Sequence, residues 1–224
     1  MSKSGKWKLA LLLAIALTIT AFAAWKMSRD QVVRAPADIE DYLFWQAREL
    51  TEFKLSAADK AVGLNGLKGK WSFILFGYTY CPDVCPVTLS TLGRAFKILE
   101  ANPDAAPEIQ GIFISVDPKR DTPQLLKEYA TYFNKKFTGV TGSTAELDAF
   151  SRQMSVMYTI QAKEPGKADD NYLVSHNSTI FVVDPQGRIY GRFPPPQTPE
   201  EIAEIFLKMR AFYNETGKKR WGIF

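Results

Sequence analysis

The chain has 224 residues, 46% hydrophobic and 23% charged, which fits one globular domain with its own core plus appendages and excludes a wholly disordered protein. Two cysteines and one histidine exclude a disulfide-rich scaffold, a four-cysteine zinc site and any centre that needs two imidazoles. The net charge of +4 sits at the ends, on Lys3, Lys6, Lys8, Lys26 and Arg29 and again on Lys218–Arg220. That leaves residues 31–217 at −3, a mildly acidic body with no basic face for nucleic acid.

Lys3, Lys6 and Lys8 precede an uncharged, largely apolar run from Leu9 to Trp25. Trp7 and Trp25 flank it as interfacial aromatics do. Every face of the run is apolar, which predicts a membrane segment over 9–25 rather than a buried soluble helix. An uncleaved single-pass anchor is the first expectation. A signal cleaved after Ala21-Phe22-Ala23 is the alternative. The leading positive charge keeps residues 1–8 in the cytoplasm and exports the body, which places the soluble domain in the periplasm against the inner membrane. Residues 26–50 read as a linker that turns helical near Ile39–Glu49. The domain is expected over 51–216, followed by a basic and aromatic tail at 217–224.

Within the body, Trp71–Tyr78 is a continuous apolar run of strand length, as a buried central strand would be. Leu89, Leu92, Phe96 and Leu99 then give an amphipathic helix over Val87–Glu100. Gln110–Val116 is a second strand. Thr122-Pro123 opens a helix, with a hydroxyl cap and proline at the first position. Ser143–Glu146 is a capping box for a third helix with the face Leu147, Phe150, Met154 and Met157. Strands Ser178–Val183 and Arg188–Phe193 flank the turn Asp184-Pro-Gln-Gly187. Thr198-Pro-Glu-Glu201 caps a closing helix. A βαβ unit, an added helix, a hairpin and a last helix are the thioredoxin topology, so the fold class is α/β, a central mixed sheet flanked by helices.

The chemistry falls where the first strand turns into the first helix. Cys81-Pro-Asp-Val-Cys85 follows Trp71–Tyr78 directly, and the N-terminal end of a helix there is expected to lower both thiol pKa values. A thiolate can attack a disulfide or bind a soft metal ion. Three intervening residues put the sulfurs at i and i+4, one turn apart. That spacing allows chelation and also allows a disulfide, including a purely structural one. His176, the only histidine, precedes the third strand, beside that turn in this topology, and can complete a two-sulfur, one-nitrogen site suited to Cu(I) or Cu(II). Asp117 and Asp121 follow the second strand. Asp117 is a candidate for the same cleft or for a turn, and Asp121 for helix capping. Asp83 reads as a turn residue, and Met154 and Met157 as core.

Three motifs, FGYTYCPDVCP (76–86), SVDPKRDTP (115–123) and SHNSTIFVVDPQGR (175–188), resemble the SCO/SenC family. The resemblance spans about residues 68–213. It implies a membrane-anchored, thioredoxin-fold copper chaperone for assembly of the CuA centre of cytochrome c oxidase. It also implies one copper per chain on Cys81, Cys85 and His176, with Asp117 and Asp121 near the metal or docking a partner. The implied partner is the oxidase's copper-binding subunit; another copper chaperone or a thiol reductant are further candidates. This chain departs from the family in having Tyr80 where histidine or phenylalanine is common, Ser175 where aspartate is common, and a short lead-in at Leu55–Lys70. The alternative function is a periplasmic thiol–disulfide oxidoreductase that uses the Cys81/Cys85 dithiol and needs no histidine.

Overall fold

The computed structural model describes residues 3–29, 34–102, 109–161, 172–175 and 178–216. In chain order its elements are α1 (Lys3–Arg29), β1 (Leu43–Glu49), β2 (Leu55–Ser56), β3 (Ala61–Val62), β4 (Trp71–Gly77), α2 (Val84–Glu100), β5 (Ile109–Ser115), α3 (Pro123–Phe133), β6 (Phe137–Val140), α4 (Thr144–Met154), β7 (Thr159–Ile160), β8 (Val174–Ser175), β9 (Ile180–Val183), β10 (Arg188–Phe193) and α5 (Pro199–Thr216).

The main sheet runs β1-β10-β9-β4-β5-β6. β4 is its centre and is buried at every position, which is why its sequence is continuously apolar rather than alternating. It pairs in parallel with β5 and antiparallel with β9, and β5 pairs in parallel with β6. The core aromatics lock α5 onto this sheet. Trp71 meets Tyr190, Phe206 and Tyr213 edge-on, and Phe73 meets Phe96 and Phe206.

Local rules account for most boundaries. The Thr122 hydroxyl accepts from Leu125 N–H with proline at the first position of α3. Ser143 and Glu146 form a reciprocal capping box at α4. The β9–β10 turn needs Gly187 at φ 82°, and the buried Asp184 carboxylate accepts from the Gln186 and Arg188 amides inside it.

Four expectations are corrected. Ile39–Glu49 is not helical: after a single 3-10 turn at Glu40–Tyr42, Leu43–Glu49 is the edge strand β1, antiparallel to β10. The folded unit therefore includes residues expected in the linker, with Ala35, Ile39, Leu43 and Leu50 buried in the core. A further strand, β6, lies between α3 and α4. Met157 is not on the core stripe, because α4 ends at Met154 with Ser155 left-handed at φ 55°, and Met157 is 88% exposed. The fourth concerns a thiol and belongs to the site.

α1 is a long helix whose described side chains, Trp7 and residues 11–26, are exposed. Among the described residues no helix is long and apolar enough to cross a membrane. The tail at 217–224 lies outside the described residues.

A chain that begins at residue 51 should melt at least ~10 °C below one that begins at residue 34. It loses β1 and the buried side chains of Ile39, Leu43 and Leu50, each worth roughly 1.5–3 kcal/mol. Equal melting by circular dichroism would contradict the placement of β1 in the sheet.

Candidate functional site

The site is built at the carboxyl edge of β4. Beyond Gly77 the chain runs through Tyr78–Tyr80 into Cys81, and α2 starts at Val84. Neither cysteine is in a disulfide, and both are buried. Asp83, the residue before α2, makes no side-chain cap. The Cys81 sulfur does that work instead and accepts the Cys85 N–H at 3.4 Å. The helix N-terminus thus points a backbone donor at a sulfur, as the sequence implied.

Cys85 lies deeper, in the first turn of α2. Burial pushes its thiol pKa well above the usual range, and the neighbouring Cys81 and Asp121 add to the rise. The expectation that both thiols are lowered fails here. One helix terminus does not offset removal from water. Cys85 also meets the Tyr78 backbone and the Cys81 side chain, so the two sulfurs are neighbours. Its position depends on Gly77, because a Cβ there would stand 2.6 Å from the Cys85 sulfur and 2.7 Å from the Phe113 ring.

The loop Val116–Thr122 supplies the supports. Asp121 is fully buried and holds the cysteine turn. Its carboxylate accepts the Thr79 N–H at 2.8 Å, the Thr79 hydroxyl at 2.5 Å and the Ser115 hydroxyl at 2.5 Å. Helix capping falls to Thr122, not to Asp121. Asp117 is also fully buried. Its carbonyl accepts from the Arg120 and Asp121 amides to form the turn, and its carboxylate pairs with Arg120 and accepts the Tyr172 hydroxyl at 2.6 Å. Neither carboxylate is exposed for docking a partner.

Sequence reading missed Gly77, Thr79, Ser115, Arg120 and Tyr172. The Asp117/Arg120 spacing in SVDPKRDTP was the one signal that could have exposed the ion pair. Tyr129 was read only as part of a helix face. Its phenol is buried with no hydrogen-bond partner among the described residues, and Cys85, Cys81 and Asp121 all raise its pKa after the dominant effect of burial.

Among the described residues no group of three His, Cys, Asp or Glu side chains could hold a metal ion. Two soft donors are in place, and the third candidate, His176, lies outside the described residues. Ser175, next to it, ends β8, where its hydroxyl accepts from Gln161 Nε2 at 2.9 Å. Two adjacent thiols are soft donors, suited to Cu(I) or zinc rather than to calcium or magnesium, which take oxygen ligands.

Fold and site together define a thioredoxin-like protein with a buried dithiol at the start of its first sheet-flanking helix. The SCO1/SenC family model matches residues 46–210, and the chain belongs to that family. A SCO2-like protein of Rickettsia felis is 39% identical over 143 residues, 63% of this chain and 66% of that one, so the chain spans just under two thirds of that relative's length. Protein sco1 of Schizosaccharomyces pombe is 34% identical over 197 residues, 87% of this chain and 73% of that one. The copper-bound crystal structure of Arabidopsis thaliana ScoI superposes with a TM-score of 0.67 at 32% identity, over 73% of this chain and 98% of that chain.

In the reduced protein, iodoacetamide should label Cys81 before Cys85. Asp121→Ala releases Thr79 and Ser115 at a cost of about 2–4 kcal/mol and should speed Cys85 labelling by about tenfold or more, the equivalent of 1.4 kcal/mol of easier opening. Peptide mass mapping of the labelled protein reads both. Equal labelling of Cys85 in the wild type and Asp121→Ala would remove Asp121 as the holder of the turn.

Proposed function

We propose that the chain is a copper metallochaperone of cytochrome c oxidase assembly. It holds one copper ion through Cys81, Cys85 and His176 and passes it to the copper-binding subunit of the oxidase for its CuA centre. The observation that carries the reading is the pair of adjacent thiols one helical turn apart and not joined in a disulfide, with a backbone donor on Cys81 and burial keeping Cys85 protonated. Thiolates select Cu(I), and an imidazole nitrogen suits both copper oxidation states. Copper-bound ScoI supports the identity of the cargo, and the family resemblance supports the recipient.

Loading displaces a proton from Cys85, because the thiolate is the ligand. An incomplete protein shell leaves positions through which an acceptor's ligands exchange with these. The positive N-terminus and the helix Lys3–Arg29 support an inner-membrane anchor with the site on the periplasmic side.

The dithiol also supports a second reading, a thiol–disulfide oxidoreductase, and the adjacency of the two reduced sulfurs is what favours it. In that reading Cys81, the less deeply buried sulfur, attacks and Cys85 resolves the mixed disulfide, so the raised Cys85 pKa is compatible with it.

The test is copper titration of the reduced full chain in detergent, wild type beside His176→Ala, with metal analysis and absorption spectra. The wild type should bind one copper with a sulfur-to-copper charge-transfer band. His176→Ala should weaken binding by at least the roughly 10–100-fold that loss of a merely supporting group causes. A wild type that holds no copper while its disulfide cycles readily would transfer the protein to the oxidoreductase reading.

A further inference from the structure

Arg120 lies in none of the ligand positions, yet it touches the cysteine turn, its own loop and the residue that leads into β8. Its side chain is only 7% exposed. The guanidinium pairs with Asp117 on its own loop and donates from Nη1 to the Tyr172 carbonyl at 3.0 Å. Its carbon stands 3.6 Å from the centre of the Tyr172 ring, 5.0 Å from Tyr80 and 5.4 Å from Tyr78. Tyr78 and Tyr80 belong to the turn that leads into Cys81, and Tyr172 leads into β8. One planar cation therefore joins the cysteine turn, the Val116–Thr122 loop and the strand that runs to His176. Lysine cannot reproduce this, because it lacks both the fork of donors and the flat face that stacks on rings.

The ribbon β7–β8 needs such a strap. Each of its strands has two residues, and among the described residues these pair with each other outside the main sheet, with Tyr78 also hydrogen-bonded to the Val174 backbone. Thr159, Ile160, Leu173 and Ser175 are exposed. A cavity of about 240 Å3 separates Val116–Lys119 from Tyr158, Ile160 and Tyr172, so apolar packing beneath the ribbon is incomplete. Tyr172 and Val174 are its buried side chains, and Tyr172 is held through Asp117 and Arg120.

We propose that Arg120 is a positioning residue that straps β8, and with it the approach to His176, onto the turn that carries Cys81. Arg120 thereby fixes where β8, the strand next in sequence to His176, stands against the cysteine turn, and it supplies no metal ligand itself. This role rests on the copper reading for its consequence, but the strap itself is measurable without metal.

Two readouts on the full chain test it. In the metal-free reduced protein, hydrogen exchange followed by mass spectrometry should show residues 172–175 exchanging about tenfold faster in Arg120→Lys than in the wild type, while β4 and α2 keep their protection. In a copper titration, Arg120→Lys should bind about 10–100-fold more weakly, with the charge-transfer band shifted. Arg120→Ala leaves Asp117 buried and unpaired and can fail to fold; Arg120→Lys keeps the charge, and Tyr172→Phe keeps the ring while removing its hydroxyl from Asp117, so it should show a smaller change of the same kind. Unchanged exchange at 172–175 in Arg120→Lys overturns the strap. Faster exchange there with wild-type copper affinity and spectrum overturns the positioning role. A wild type that binds no copper, with exchange altered as stated, supports the strap and overturns the copper reading.

Discussion

Asp121 receives three hydrogen bonds from inside the protein and has no access to water. A buried carboxylate is tolerated only when its oxygens are met by donors, so its presence obliges Thr79 and Ser115 to stay where they are. Thr79 is two residues before Cys81, and Ser115 is the last residue of β5. The carboxylate therefore ties the end of one central strand to the turn after the other, and the cysteine turn inherits the rigidity of the sheet. Asp117, four residues earlier on the same loop, repeats the arrangement outward through Arg120 and Tyr172. Two buried acids on one short loop thus hold the two sides of the site.

That frame explains the contrast between the two sulfurs. Cys81 takes the helix N-terminal amide that a capping side chain would ordinarily take. Cys85 is sunk against Gly77 and Phe113, where burial outweighs the helix terminus and keeps it protonated. A dithiol built for rapid attack on disulfides wants an exposed thiolate. One built to receive a soft cation can store a proton and release it on binding. A deep protonated thiol beside a shallower one serves either use, as proton store on metal binding or as resolving thiol in disulfide exchange.

Much of this was legible in the sequence. β4 announced itself by an unbroken apolar run, and α3 and α4 by their caps, because those signals depend on neighbours in the chain. β1 was not legible. Its residues Leu43–Glu49 show no alternation, and most of them face solvent, since an edge strand is specified by the partner strand β10 rather than by its own pattern. β6 is four residues long and contains Gly139, whose lack of a side chain admits the Leu126 carbonyl, 2.2 Å from where a Cβ would sit; such a strand is defined by close packing against α3. Of the site, the cysteines and the two aspartates were visible as residue types. Their roles were not, because the direction of the Cys85 shift depends on burial, and Asp121 and Arg120 act through partners distant in sequence.

X-ray absorption at the copper edge of the loaded, reduced full chain reads the proposed ligand set of two sulfurs and one nitrogen. Two sulfur scatterers and one imidazole are expected around copper, with the imidazole signal absent in His176→Ala. A shell of oxygen and nitrogen alone, or an imidazole signal that survives removal of His176, would contradict that set.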